Sequence, residues 1–228
     1  MRFAALFSGG KDSAYALWCA LHQGFDIAFL VTVVPEAPDS YMFHYPNVEW
    51  TKLQAEALGL PIKLVKVKGG KEGEVESLKE RLKGLGGFEG LVSGAIASEY
   101  QKRRLDALCE ELGLVGYAPL WGKDPEALLR EEVEAGFEII ITACMARGLT
   151  ESWLGRRIDK TSLPELAGLC RKYGVHPTFE GGEAETFVLD CPIFKKRISI
   201  LEREVRWSGE SGYLIIKRAK LVDKALSR

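Results

Sequence analysis

Short apolar runs alternate with amphipathic stretches through the first half of the chain, and this alternation constrains the fold most strongly. Strands are predicted at 2–7, 27–34, 62–67, 90–93 and 115–119, and helices at 12–23, 48–58, 72–83 and 98–112, the last of which begins with Ser98 as its cap. Strands joined by helices form right-handed crossovers and a parallel sheet with helices on both faces. The sequence therefore predicts a doubly wound, parallel α/β sheet.

The pattern changes after Gly122. Helices are predicted at 125–135 and 162–173, an apolar strand at 138–144, and two further strands at 198–205 and 213–219. The last two strands flank a Ser-Gly-Glu-Ser-Gly turn, which is typical of a hairpin. We therefore predict two domains, 1–122 and a smaller α+β domain of residues 123–228.

Composition narrows the classes of function. The 228 residues include 31 basic and 32 acidic side chains, which excludes a generally basic nucleic-acid binder. No apolar run approaches the roughly 20 residues of a membrane span. The five cysteines include no C-x-x-C pair, so neither a zinc knuckle nor a redox pair is indicated. We expect a cytoplasmic protein that contacts neither membrane nor nucleic acid directly, and a homodimer is compatible with the sequence.

The loop between the first strand and the first helix has the composition of a polyphosphate site. Two glycines let the backbone approach a ligand closely, and the helix N-terminus adds partial positive charge. The lysine supplies a full charge, and the serine hydroxyls can donate to phosphate oxygens. The predicted site residues are Ser8, Gly9, Gly10, Lys11, Asp12 and Ser13.

Two of these loop residues carry specific expectations. Asp12 is unfavourable beside a polyanion unless it binds Mg²⁺ or caps the helix, and both roles stay open. Lys11 is expected on an exposed surface loop, so its replacement should not open the core.

The SGGKDS string resembles the PP-loop of the N-type ATP pyrophosphatases, which share the adenine-nucleotide alpha-hydrolase (HUP) type of fold. That resemblance implies that ATP is bound with Mg²⁺ and cleaved between its α- and β-phosphates. For this chemistry we expect Lys11 and Asp12 to be the catalytic residues, and Asp12 is the candidate ligand of Mg²⁺.

Four further strings resemble one branch of this superfamily, the diphthine–ammonia ligases. They are YMFH at 41–44 with Pro46-Asn47, SGAI at 93–96 with Tyr100-Gln101, ESWLGR at 151–156 with Ile158-Asp159, and EGGEAET at 180–186. The resemblance implies a ligase that adenylates the carboxylate of diphthine on elongation factor 2. Ammonia then yields diphthamide, and AMP and pyrophosphate are released.

Further ATP-binding residues are expected near the carboxyl edge of the sheet. A glycine after the fourth strand, which lies next to the first strand in such folds, lets the backbone approach a ribose or phosphate. The basic run at 102–104 is either a solvated helix face or a source of phosphate contacts. The additional predicted residues are His44, Gly94, Ala95, Ile96, Gln101 and Arg104.

The EGGEAET string places three carboxylates within six residues. Their mutual repulsion would be relieved by Mg²⁺, by ammonium or by the trimethylammonium group of diphthine, for which aromatic walls are also suited. An exposed acidic turn is the alternative. The predicted substrate-binding residues are Trp153, Gly155, Arg156, Asp159, Glu180, Gly181, Gly182, Glu183, Glu185 and Thr186.

The source of nitrogen and two rival functions complete the expectations. The PP-loop begins at residue 8, which leaves no room for a preceding glutaminase, so free ammonium or ammonia from a separate protein is expected. One rival is a tRNA-modifying enzyme of thiolase or lysidine type, which usually adds a basic module or paired cysteines. The other is a non-catalytic adenine-nucleotide sensor, which would need the loop but not the acidic string.

Overall fold

The computed structural model describes residues 1–35, 47–68 and 70–224. Its helices are α1 (Lys11–His22), α2 (Thr51–Leu58), α3 (Gly70–Leu85), α4 (Glu99–Leu112), α5 (Pro125–Glu134) and α6 (Leu163–Tyr173). Its strands are β1 (Arg2–Leu6), β2 (Asp26–Pro35), β3 (Ile62–Val67), β4 (Gly90–Val92), β5 (Val115–Tyr117), β6 (Glu138–Cys144), β7 (Arg157–Ile158), β8 (Ala184–Asp190), β9 (Arg197–Ser208) and β10 (Ser211–Val222).

Two short 3-10 helices, Val48–Trp50 and Glu151–Trp153, complete the described elements. Within the described ranges, no helix combines the length and apolar composition that a membrane span requires.

The first sheet is parallel and has the order β3-β2-β1-β4-β5. Its central strand is rich in small apolar residues, and Phe3, Ala4 and Ala5 are all buried because helices cover both faces. The chain moves outward from β1 to β3 and then returns to β4 on the other side of β1. This arrangement confirms the predicted doubly wound α/β fold.

The second sheet is antiparallel and has the order β7-β6-β10-β9, with β8 also paired to β6. The segment Ile139–Cys144 of β6 is buried throughout, as its continuous apolar sequence predicts. Strands β9 and β10 form the predicted hairpin, although both extend beyond the predicted limits. The C-terminal region is therefore α+β, as expected.

Contacts divide the chain into two compact units. Unit 1 comprises Met1–Ser8, Asp12–Ala55 and Leu60–Gly122, and it contains the parallel sheet. Unit 2 comprises Gly9–Lys11, Glu56–Gly59 and Lys123–Arg228. The SGGKDS loop thus contributes to both units: we call Gly9–Lys11 the loop centre, and Ser8, Asp12 and Ser13 the loop flanks.

Strand β8 is absent from the prediction. The sequence reads as an acidic turn through residue 186, but the structure begins a strand at Ala184 and continues it to Asp190. Two acidic residues near the start of this strand conceal its apolar stretch, Phe187–Leu189, which is buried. The last motif therefore combines a turn with the beginning of a strand.

Candidate functional site

The loop lies at the carboxyl end of β1, the central strand of the parallel sheet. Its approach is fixed by β2: the Phe7 N–H donates to the Val31 carbonyl at 2.9 Å, and the Thr32 hydroxyl donates to the Phe7 carbonyl at 2.6 Å. Gly9 then adopts φ +84°, which a residue with a Cβ rarely adopts. Helix α1 begins two residues later, so its positive end faces this loop.

The loop flanks are held by contacts within unit 1. The Ser8 N–H donates to Ser13 Oγ at 3.2 Å, and the two serine hydroxyls lie 3.1 Å apart. A Cβ on Gly94 would lie 2.9 Å from the Asp12 carbonyl carbon and from the Ser13 nitrogen. The absence of a side chain at Gly94 thus permits close packing against the first turn of α1; its contact with a nucleotide stays a prediction.

The loop centre is held by contacts within unit 2. The Gly9 carbonyl accepts a hydrogen bond from the Val188 N–H at 3.0 Å. The Lys11 N–H donates to Thr186 Oγ1 at 3.1 Å. Both partners belong to β8, so this strand fixes the loop centre through one backbone and one side-chain contact. Thr186 was predicted to bind substrate. In the structure its hydroxyl contacts the backbone N–H of Lys11, the first residue of α1.

The expectation that Lys11 lies on an exposed surface is wrong. Its side chain is 0% exposed, and its Nζ lies 3.7 Å from Oε2 of Glu132, which is also 0% exposed. The Phe179 ring lies on the same ammonium group, 6.0 Å from Nζ to the ring centroid. A paired carboxylate offsets part of the cost of burying the charge.

Sequence reasoning missed Glu132, although a signal was present. Glu132 follows Leu128 by four residues and Leu129 by three, and all three side chains are buried on one face of α5. An acidic residue at a core position of an amphipathic helix indicates a buried partner of opposite charge. Only the fold reveals that this partner is Lys11.

The predicted ATP-binding residues after β4 make contacts that stabilise the fold. Ala95 and Ile96 are buried, and the Ile96 carbonyl accepts from the Gly122 N–H at 2.9 Å. Ser98 caps α4 by accepting from the Gln101 N–H at 3.3 Å, which confirms the predicted cap. The Arg104 guanidinium stacks on the Tyr100 ring at 3.5 Å.

The neighbouring basic residues favour the solvated-face interpretation. Lys102 Nζ lies 2.6 Å from Oδ1 of Asp106, and Arg103 Nε lies 3.2 Å from Oε2 of Glu99. Both are pairs four residues apart within α4. His44, the remaining predicted ATP-binding residue, lies outside the described residues.

A cavity of about 300 Å³ lies between α4 and the strands β4 and β5. It is of the size that small-molecule sites begin to have. Ser93 in its wall directly precedes Gly94, so the cavity adjoins the predicted nucleotide residues. The lining residues are Leu91, Ser93, Lys102, Leu105, Asp106, Cys109, Gly116, Tyr117, Ala118 and Trp121.

Glu183 occupies a specific position in the acidic string. Its Oε1 accepts from the His176 N–H at 3.0 Å, and its backbone carbonyl accepts from the Met145 N–H at 2.8 Å. Its Oε2 is buried and accepts no hydrogen bond within the part of the chain that the structure describes. A Cβ on Gly181 would lie 2.8 Å from Oε1, so any larger residue there would displace the carboxylate group of Glu183. Glu180, Glu183 and Glu185 are all partly buried, and Glu183 is distinguished by its buried Oε2 atom.

The ESWLGR string is held by contacts of its own in unit 2. Trp153 is buried, and the Arg156 guanidinium lies 4.1 Å from its ring centroid while it also pairs with Glu165. Gly155 has φ +80°, and a Cβ there would lie 2.6 Å from Nη1 of Arg203. These three residues thus have structural partners, and their contact with substrate stays a prediction.

Asp159 ends the same string and stabilises the start of α6. Its Oδ1 accepts from the Thr161 hydroxyl at 2.6 Å and from the Ser162 N–H at 3.0 Å. These donors lower the pKa of Asp159, the Thr161 hydroxyl foremost. The visible role of this carboxylate is to organise a turn.

The residues that the structure describes include no group of three His, Cys, Asp or Glu side chains arranged to hold a metal ion. Mg²⁺ commonly binds through one or two carboxylates together with substrate phosphates. Asp12 brings a carboxylate to the first turn of α1, and its binding of a phosphate-bound ion stays a prediction.

All five cysteines are free thiols. Burial raises the pKa of Cys109 and Cys170 to about 11, and that of Cys144 and Cys191 to about 12. These four thiols are therefore protonated at neutral pH and are poor nucleophiles.

The fold and the loop together define a PP-loop protein of the α/β class. Two family models match the chain, diphthamide synthase N-terminal domain over residues 1–116 and diphthamide synthase C-terminal domain over residues 124–222. The chain belongs to the diphthamide synthase family.

Two mammalian relatives are similar along most of their length. The diphthine–ammonia ligase of Homo sapiens is 39% identical over 227 residues, which cover 90% of this chain and 85% of the relative. The diphthine–ammonia ligase of Mus musculus is 37% identical over 254 residues, covering 100% and 95%. Both of these relatives are named as ligases.

Among solved structures, a predicted subunit of a tRNA methyltransferase from Methanocaldococcus jannaschii matches with a TM-score of 0.48 and 16% identity, covering 84% of this chain and 98% of that one. Such a likeness is too distant to bear on function.

Proposed function

We propose that this protein is an ATP-dependent ligase that converts diphthine on elongation factor 2 into diphthamide, with ammonia as the second substrate and AMP and pyrophosphate as products. The observation that carries the proposal is the position of Lys11, the first residue of α1, whose buried ammonium lies 3.7 Å from Oε2 of Glu132. Residues 1–122 would bind ATP and residues 123–228 the modified histidine.

The first step is adenylation. The diphthine carboxylate attacks the α-phosphorus of ATP, a bond to pyrophosphate breaks, and an acyl-adenylate forms. Lys11 and the positive end of α1 are suited to stabilise the charge that develops on pyrophosphate. Mg²⁺, when bound, would supply further neutralisation of phosphate charge, with Asp12 as its protein ligand.

The second step is amide formation. Ammonia attacks the acyl carbon and AMP leaves, so no protein nucleophile is needed and positioning provides most of the catalysis. The four buried, protonated cysteines agree with this chemistry and argue against a thiolase that works through paired cysteines. The buried Oε2 of Glu183, which accepts no hydrogen bond within the described residues, favours a cation-binding ligase over a nucleotide sensor that has no use for the acidic string.

Recognition of the substrate would involve the acidic string. Diphthine carries a trimethylammonium group, and the nitrogen substrate arrives as ammonium and must lose a proton before ammonia can attack. Both substrates therefore bring positive charge to the site. Glu183 has one buried carboxylate oxygen that accepts no hydrogen bond within the described residues, and such an oxygen favours a cation. Elongation factor 2 works in the cytoplasm, and we propose the same location for this protein.

The decisive experiment measures AMP and pyrophosphate formation from ATP in the presence of ammonium. Three substrates are compared: elongation factor 2 carrying diphthine, the same factor with unmodified histidine, and bulk tRNA. The proposal requires stoichiometric AMP, pyrophosphate and diphthamide with the first substrate alone. Turnover with tRNA, or tight ATP binding without turnover on any substrate, would replace it with one of the rival functions.

A further inference from the structure

We propose that Glu132 is a positioning residue for the reaction, and that it acts through Lys11. The inference rests on the proposed function, because it assigns to Lys11 the contact with the phosphates of ATP. Its structural basis is the pair formed by the Lys11 Nζ and the Glu132 Oε2, 3.7 Å apart and both within unit 2.

Helix α5 presents Glu132 to this contact with little freedom. Leu128, Leu129 and Glu132 form its buried face, and Asp124 caps the helix by accepting from the Ala127 N–H at 2.8 Å. A carboxylate in such a position is unfavourable unless a cation accompanies it. The fold therefore holds a negative charge at one defined place beside the loop centre.

Lysine needs this kind of restraint more than other loop residues. Its ammonium sits on a flexible four-carbon stem, and fixing that stem costs conformational entropy. In this protein the backbone and the ammonium group of Lys11 are held by separate contacts. The backbone N–H is bonded to Thr186 Oγ1, and the ammonium lies beside Glu132.

Phe179 provides a second wall for the same ammonium. Its backbone has φ +65°, a left-handed conformation that is an outlier for a bulky residue and persists only when surrounding contacts impose it. The Phe179 ring is buried and its centroid lies 6.0 Å from the Lys11 Nζ. A carboxylate and an aromatic face thus define the location of the charge from two directions.

This arrangement sets the position of the ammonium before ATP binds. A charge that is already in place when pyrophosphate begins to leave stabilises the transition state without further reorganisation. A displacement of about 1 Å can lower a rate by roughly a hundredfold. Glu132 therefore contributes to the rate of the first step rather than to the binding of ATP.

The test compares Glu132→Gln with Glu134→Gln, which makes the same change of charge at an exposed position of α5. With wild-type protein, diphthine-bearing elongation factor 2 and ammonium, AMP formation gives kcat and the KM for ATP. We expect Glu132→Gln to lower kcat by about tenfold to a hundredfold and to change KM by less than about threefold. Glu134→Gln should match the wild type, and Glu132→Asp should recover part of the loss.

A second comparison tests whether Glu132 acts through Lys11. In a Lys11→Ala background, assayed with radiolabelled ATP, Glu132→Gln should cause no further loss of AMP formation. An equal loss in both backgrounds would assign Glu132 a structural role and overturn the inference, as would a wild-type kcat in folded Glu132→Gln. If Glu132→Gln does not fold, Glu132→Asp takes its place in the same cycle, with a loss that must vanish without Lys11. A wild-type protein that forms no AMP would instead disprove the proposed function.

Discussion

The flanks and the centre of the SGGKDS loop are consecutive in sequence but are held in different ways. In the flanks, Ser8 and Ser13 contact each other, five residues apart, and the loop packs against Gly94 from the neighbouring strand's end. In the centre, Lys11 contacts Thr186, which is 175 residues away. The flanks are thus ordered by the sheet from which the loop emerges, whereas the centre depends on α5 and β8.

This contrast separates two requirements of a phosphate-binding loop. Backbone geometry can be specified by local residues, because a turn and a helix start need only glycines and a nearby hydroxyl. The position of a charged side chain requires partners that surround it, and here these come from distant parts of the chain. We therefore expect substitutions at the centre to change the rate and substitutions at the flanks to change ATP binding.

The largest effect is expected for Lys11→Ala, which removes the charge at the loop centre. Loss of one charged donor to the transition state costs about 3–4 kcal/mol, or a hundred- to a thousandfold in the rate of AMP formation. Contrary to the expectation from sequence, stability should fall by about 3–5 kcal/mol as well, because Glu132 stays buried without its partner. Urea denaturation measures the second effect.

Lys123 is a control for the loss of stability expected in Lys11→Ala. Lys123 pairs with Glu131, also on α5, but the two side chains are 36% and 43% exposed. Lys123→Ala should cost less than about 1 kcal/mol, because a partly exposed pair contributes little. Adding Glu132→Gln to Lys11→Ala should recover much of the lost stability and none of the activity. A stable, fully active Lys11→Ala protein would remove the loop centre from the site.

The next largest effect is expected for Glu183→Gln. This variant tests substrate recognition separately from the positioning of Lys11 in the SGGKDS loop. The amide keeps the shape and an acceptor for the His176 N–H but removes the charge. If this charge holds a cationic substrate, amide formation should fall by about tenfold to a hundredfold, since a charge-assisted contact contributes about 1.5–3 kcal/mol. Calorimetric titration should show nearly unchanged ATP affinity.

A fall in ATP affinity of Glu183→Gln would indicate a carboxylate that binds phosphate-bound Mg²⁺. Unchanged affinity together with unchanged amidation would show that Glu183 serves the fold alone, through its contact with His176.

A smaller effect is expected for Gly94→Ala, which acts on the loop flanks. The added Cβ would lie 2.9 Å from backbone atoms of Asp12 and Ser13, so the first turn of α1 must shift. Such overpacking costs about 1–3 kcal/mol. We expect a rise of roughly tenfold in the KM for ATP, the energetic equivalent of about 1.4 kcal/mol, with kcat largely retained.

Gly84→Ala is the control for that substitution. Gly84 lies in α3, and a Cβ there meets no atom within 4 Å. Replacing a helical glycine by alanine should raise stability by about 0.5–1 kcal/mol and leave KM unchanged. A lower kcat with unchanged KM in Gly94→Ala would contradict the division between flanks and centre.

The same contrast explains what could be predicted from the sequence. The strands of the parallel sheet and the Ser98 cap follow from apolar periodicity and from residues a few positions apart, and the structure confirms them. The burial of Lys11 could not be predicted, because it depends on a helix more than a hundred positions away. Strand β8 was missed because acidic residues occupy its start, where the local pattern favours a turn.

The smallest effect is expected for Thr186→Val, which removes the hydroxyl that accepts the Lys11 N–H while the side chain keeps its shape. Loss of one such hydrogen bond costs about 1–3 kcal/mol when the donor stays buried, and the donor here belongs to a fully buried residue. We expect kcat for AMP formation to fall by about fivefold, because the backbone end of Lys11 loses its anchor while the ammonium keeps Glu132. Thr186→Ser, which retains a hydroxyl, should behave like the wild type. Had Thr186 bound the substrate instead, the valine variant would raise the KM for elongation factor 2 and leave the kcat for AMP formation unchanged. Measuring both quantities in the same preparation therefore decides whether this residue of β8 serves the loop centre or the protein substrate.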